Sequence, residues 1–157
     1  MKRITLLLIV VLLSISTPVY ARIGETPDQC VSRYGPCQWT EGVVNGFIKG
    51  DYGIYIIFYE HIAGTVLYAN LTPDPKKENY TIHLTEKEIK NFLKVNSNSE
   101  WVKTIKVSLD SEWITKDGKL RALYSNEDRT LQIDKWSVYQ ARVKEEKEAE
   151  ANKQKGF

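Results

Sequence analysis

The chain has 157 residues, with 22 Lys+Arg against 20 Asp+Glu, a formal charge of +2. Both excess cations, Lys2 and Arg3, sit in an N-terminal leader, so the remainder is balanced at 20 against 20. A neutral chain without a basic run lacks the electrostatic footprint of a nucleic-acid binder.

Residues 1–21 read as a secretory signal peptide. Lys2 and Arg3 precede an apolar stretch from Ile4 to Leu13, and Val19-Tyr20-Ala21 supplies a small-residue cleavage site. The apolar run is shorter than the ~20 residues a span requires, and Ser14, Ser16, Thr17 and Pro18 interrupt it. Cleavage is expected after Ala21, leaving a secreted or periplasmic protein. No later segment of the sequence is apolar enough to be a transmembrane helix. The expected layout is a leader over 1–21, one domain over 22–134, and a C-terminal helix with a charged tail over 135–157.

The first element after the leader carries a full set of helix signals. Thr26 caps it, Gln29 closes a capping box, and Pro27 occupies the first helical position. Gly35 and Pro36 end it, which predicts a helix from about Pro27 to Tyr34. Strands are predicted over Val43–Lys49, Ile54–Glu60 and Thr65–Leu71, with Glu60 to Gly64 as a hairpin connection. The central strand is apolar on both faces. Helices are expected to cover both, the alternative being a face that meets a partner.

A polar loop, "LTPDPKKEN", follows. Tyr80–Leu84 reads as a short strand, and Thr85 with Glu88 forms a second capping box opening a helix to about Val95. "WITKDGKLRALY" predicts a hairpin around Asp117-Gly118. Thr130–Ile133 gives a last strand, and Asp134 is expected to cap a final helix anchored by Trp136, Tyr139 and Val143. Beyond Val143 that helix has almost nothing to bury. The fold class expected is α+β: an antiparallel sheet of hairpins packed with a short N-terminal helix, a middle helix and a C-terminal helix.

Cys30 and Cys37 are the only cysteines. Their spacing fits neither C-x-x-C redox chemistry nor a zinc site, which needs about four ligands. Export favours a local Cys30–Cys37 disulfide, with two buried thiols as the alternative. No metal or other cofactor is expected.

Arg22, Gly24, Glu25, Thr26, Gln29, Cys30, Arg33, Tyr34 and Gly35 compose the pattern R-x-G-E-T-x-x-Q-C-x-x-R-Y-G. This resembles the start of an uncharacterised family of small secreted bacterial proteins. The Leu84-Thr85-Glu86-Lys87-Glu88-Ile89 helix opening, Trp101, Trp113, Asp117-Gly118 and Ala122-Leu123-Tyr124 are similar to that family as well. The resemblance implies export and no particular chemistry. Gly24, Thr26, Gln29, Tyr34 and Gly35 are more distantly similar to outer-membrane-assembly lipoprotein and β-lactamase-inhibitor-like modules. The chain departs from those modules where Cys37 replaces their proline, and it has no lipid-bearing cysteine.

No nucleophile elbow, P-loop or dinucleotide fingerprint is present. Asp110 and Glu112 could share one side of a strand, but strand-end charge accounts for them. The function expected is a non-enzymatic, exported binding or envelope-scaffold module with an envelope or secreted protein as partner. Tyr55, Tyr59 and Tyr68 are its candidate anchors, since tyrosine is favoured at interfaces. The alternative is a small secreted hydrolase using His61 or His83 with a carboxylate.

Overall fold

The computed structural model describes residues 22–104 and 110–155, so the leader expected over 1–21 lies outside the described residues. Within these residues eight strands form one antiparallel sheet: β1 (Trp39–Glu41), β2 (Val44–Lys49), β3 (Tyr52–Tyr59), β4 (Ile62–Asn70), β5 (Trp101–Thr104), β6 (Ser111–Thr115), β7 (Leu120–Ser125) and β8 (Thr130–Lys135). Their order is β1-β2-β3-β4-β8-β7-β6-β5. Two four-stranded meanders are therefore joined where β4 pairs with β8, from Thr65↔Asp134 to Ala69↔Thr130. Among the described residues three helices accompany the sheet: α1 (Pro27–Tyr34), α2 (Glu86–Asn96) and α3 (Trp136–Lys155).

This corrects the α+β expectation. The fold is sheet-dominated, with helices as attachments to one continuous eight-stranded sheet. The sequence reading undercounted strands at both edges. β1 is three exposed residues and β5 is four, too short for an alternating pattern to register. It also overweighted the helices, since α1 has only eight residues and the far half of α3 is exposed.

The register sorts side chains between two faces. Ile54 opposes Tyr68 and Ile56 opposes Val66; Tyr68 and Val66 in turn oppose Leu131 and Ile133 on β8. These residues form the inner face, all of them essentially without solvent exposure. Cys30 and Tyr34 of α1 and Ile89, Phe92 and Leu93 of α2 close over it. Burying four large side chains, of about 1.5–3 kcal/mol each, together with Cys30 explains why two short helices stay docked.

Both helices begin as the sequence predicts. Thr26 with Gln29, and Thr85 with Glu88, form complete capping boxes. The connection from β4 to β5 carries α2 across the inner face, and Trp101 Nε1 donates to the Leu93 carbonyl at 2.8 Å, holding the last turn of α2. The strand expected over Tyr80–Leu84 reduces to one bridge, Pro73↔Thr81. Arg129 holds that loop instead, donating to Asp74 at 2.7 Å and to the Thr81 carbonyl.

The outer face is different. Here α3 leaves β8 and packs near β7, β8 and Gly64, where a Cβ would lie 3.1 Å from Val138. Tyr55, Ile57 and Leu67 of β3 and β4 remain half-buried. Helical cover on both sides of β3 is therefore also corrected: only the inner side has it. Asp134 does not cap α3. It lies inside β8, 1% exposed, where Thr65 Oγ1 donates to it at 2.7 Å.

Candidate functional site

The N-terminal motif assembles into one buried cluster. Gly24 takes φ 90°, which lets the chain turn and add to β4: Gly24 N–H donates to Ala63 O and Ala63 N–H to Glu25 O, both at 2.8 Å. That turn drops the Glu25 carboxylate inside, 8% exposed, where Arg33 reaches it from the last turn of α1. Arg33 Nη2 lies 2.5 Å from Oε1 and Nε 3.2 Å from Oε2, a two-pronged pairing. Gly35, at φ 87°, then turns the chain off the helix. The motif residues quoted above thus serve the architecture of the domain, Arg22 through its main chain alone, its side chain being exposed.

Both cysteines are free thiols, which corrects the expected Cys30–Cys37 bridge. Their surroundings explain it. Cys30 points into the core from the buried side of α1, with Sγ 4.0 Å from Glu25 Oε2. Cys37 lies beyond the Gly35-Pro36 turn, and its thiol donates to the Trp39 carbonyl at 3.0 Å, within the β1–β2 hairpin. Burial, and next the Glu25 charge, push the Cys30 thiol up to about 12. A thiol that keeps its proton is a poor nucleophile.

The three candidate tyrosines separate. Tyr68 is wholly buried, stacked on Phe92 at 4.1 Å, and its hydroxyl accepts from Asn96 Nδ2 at 2.9 Å. Burial raises its pKa far above the ordinary range. It is a core residue and no anchor. Tyr55 and Tyr59 lie on the outer face.

There the register sets aromatic rings over glycines. Trp39 pairs directly with Gly46, and a Cβ at Gly46 would lie 2.3 Å from the indole. A Cβ at Gly53 would lie 2.7 Å from the Tyr55 hydroxyl, and one at Gly64 would lie 2.4 Å from the Tyr59 ring. Each glycine is thus a seat for a neighbouring ring. Trp39 and Tyr55 also meet at 5.6 Å between centroids. Trp39 remains 42% exposed, and Ile48, on the same face of β2 as Gly46, is 51% exposed. Sequence reading missed Trp39, because only the pairing with Gly46 reveals its seat.

The other half of the outer face is a polar clasp for α3. Arg121 Nε pairs with Glu112 at 2.6 Å, and its guanidinium lies 4.1 Å above the Tyr139 ring. Asp134 receives Gln132 Nε2 at 2.8 Å and Arg142 Nη2 at 3.6 Å. Glu112 is committed to this network, while Asp110 accepts the Asn126 N–H at 3.0 Å. They form no catalytic pair.

His61 is exposed in the two-residue turn between β3 and β4, where Glu60 and His61 take φ 50° and 65°. Such a hairpin turn needs positive φ at both positions. His83 Nδ1 lies 3.0 Å from the Tyr124 hydroxyl, so its partner is a phenol. Among the described residues no hydrogen bond joins either histidine to a serine, a cysteine or a carboxylate. Among the described residues no cluster of His, Cys, Asp and Glu could hold a metal ion, and no helix is long and apolar enough to cross a membrane.

No protein-family model matches the chain, and no curated protein matches its sequence. A structural likeness exists to the crystal structure of a cysteine-rich secretory protein from Staphylococcus aureus, at 10% identity and a TM-score of 0.39. The match covers 74% of this chain and 45% of that one, so the chain spans less than half the length of the structure it resembles.

Proposed function

We propose that this protein is an exported module that binds another envelope or secreted protein through the outer face of β1–β3. One observation carries the reading: Trp39 is exposed yet held in place, seated on Gly46 and against Tyr55. A large ring already fixed before binding loses little conformational freedom on contact, and aromatic anchors of this kind dominate interface energies. Tyr55 and Ile48, on the same face, extend the apolar surface around it. β1 is also a sheet edge, so its outward backbone groups are open to pairing with a partner strand. The leader-like start of the sequence supports export.

The test is capture of partners from the native envelope by the tagged chain lacking residues 1–21, followed by affinity measurement on the purified pair. Trp39→Ala is expected to weaken binding at least tenfold. Val31→Ser, on the exposed side of α1, is expected to leave it unchanged. A partner held equally well by both variants would overturn the outer face as the site.

A further inference from the structure

Arg22, Ile23, Gly24 and Glu25 form a turn closed by the Glu25 N–H and the Arg22 carbonyl at 3.3 Å. Gly24 stands at the third position, where this kind of turn needs a positive φ. The turn is pinned on both sides, since Gly24 and Glu25 pair with Ala63 and the Ile23 N–H donates to Asn96 Oδ1 at 3.0 Å. Its geometry carries the main-chain nitrogen of Arg22 to 3.4 Å from Glu25 Oε2. The carboxylate that receives it is buried and is shared with Arg33.

We propose that the Ala21–Arg22 peptide bond is the processing bond of this chain, and that the α-ammonium freed there becomes the second cation on Glu25. This rests on the export reading above. A peptidase of the export route adds water across the bond: hydroxide goes to the Ala21 carbonyl carbon, and the C–N bond breaks. The Arg22 nitrogen takes the remaining proton and one more from solvent. A neutral amide with one N–H thereby becomes an ammonium with three. With a cation facing the carboxylate, the contact becomes an ion pair as well as a hydrogen bond. The leader-bearing precursor donates only its single neutral Arg22 N–H to this carboxylate, at 3.4 Å; cleavage adds a positive charge and two further N–H groups there, so removal of the leader tightens the fold after transport.

The groups facing the new amine set its pH response. Glu25 lies closest, Arg33 and Cys30 approach Glu25 from α1, and the Tyr34 and Tyr68 phenols lie deeper, both protonated. Lys94 of α2 lines the same hollow as the exposed Arg22 side chain. Direct contact with Oε2 outweighs the more distant cations and raises the amine above the ~7.7–8.0 of free peptides. A raised value in the folded state stabilises fully below that range and is lost as pH climbs through the folded pKa.

The first measurement is the N-terminal residue of the exported protein by mass spectrometry, expected to be Arg22. The second compares urea midpoints at pH 6.5 and 9.5 for the chain starting at Arg22 and for one extended to begin Ser-Ala21. The Arg22 form should lose roughly tenfold more of its folding constant across that interval, as one pKa unit implies. Export with a first residue other than Arg22, or equal losses in the two forms, overturns the proposal while leaving export intact. Retention of the uncleaved chain inside the cell overturns the export reading as well.

Discussion

Arg33 grips Glu25 with two nitrogens of one guanidinium, at 2.5 and 3.2 Å, and so ties the last turn of α1 to the segment that adds onto β4. Helix, turn and sheet meet in this pair. Arg33→Ala would leave a buried carboxylate without its partner, which costs about 3 kcal/mol. Arg33→Lys should recover only part, because a lysine cannot engage both oxygens in the same way. Urea unfolding of the three proteins checks this; an Arg33→Ala midpoint equal to wild type would refute the clamp.

Next to that pair the Tyr34 hydroxyl is buried without a hydrogen-bond partner among the described residues. Burial drives its pKa far up, so it stays protonated and unpaired. Tyr34→Phe removes the unmet polar atom and keeps the ring against Phe47 at 5.7 Å. Stability should rise by up to about 1 kcal/mol, against the usual loss on altering a core residue. A clear destabilisation would mean that the hydroxyl has a partner.

Cys30 gives alkaline pH a specific effect. In the unfolded chain the thiol titrates near ~8.5, while in the fold it is pushed up to about 12 by burial and then by Glu25. Its pKa is raised on folding, so its contribution is full below about pH 8.5 and falls as pH climbs toward the folded value. Urea midpoints should therefore drop between pH 8 and 10, and drop less in Cys30→Ala. In the native state a thiol reagent should modify Cys37 first and Cys30 only on unfolding. Equal rates at both positions would contradict the burial.

Gly46 tests the seat of Trp39 without touching the ring itself. Gly46→Ala places a Cβ where the indole lies, 2.3 Å from it, and the ring must swing away. The fold should lose about 1–2 kcal/mol, as overpacking usually costs. Tryptophan fluorescence should shift, and partner affinity should fall along with it. An unchanged affinity would show that the seated position is unimportant for binding.

Local signals in the sequence mapped well onto local structure. Thr26 with Gln29 and Thr85 with Glu88 each cap a helix, and the Asp117-Gly118 turn joins β6 to β7 with Gly118 at φ 67°. These features depend on residues within four or five positions of one another, so a single stretch of chain is sufficient to specify them. Where distant strands had to meet, legibility ended. Tyr55 and Tyr68 look alike in sequence, yet the pairing Ile54↔Tyr68 places one outside and the other in the core.

The amino-acid order alone determined where α1 and α2 start, where the Asp117-Gly118 hairpin turns and which strands are apolar, because those choices are made by short-range sterics and hydrogen bonds. Only the tertiary structure decided that β4 joins β8, that Cys30 and Cys37 face different neighbours, and that Trp39 lies over Gly46. Each of those depends on register between segments far apart in the chain. A shift of one residue would turn every side chain of a strand to the opposite face.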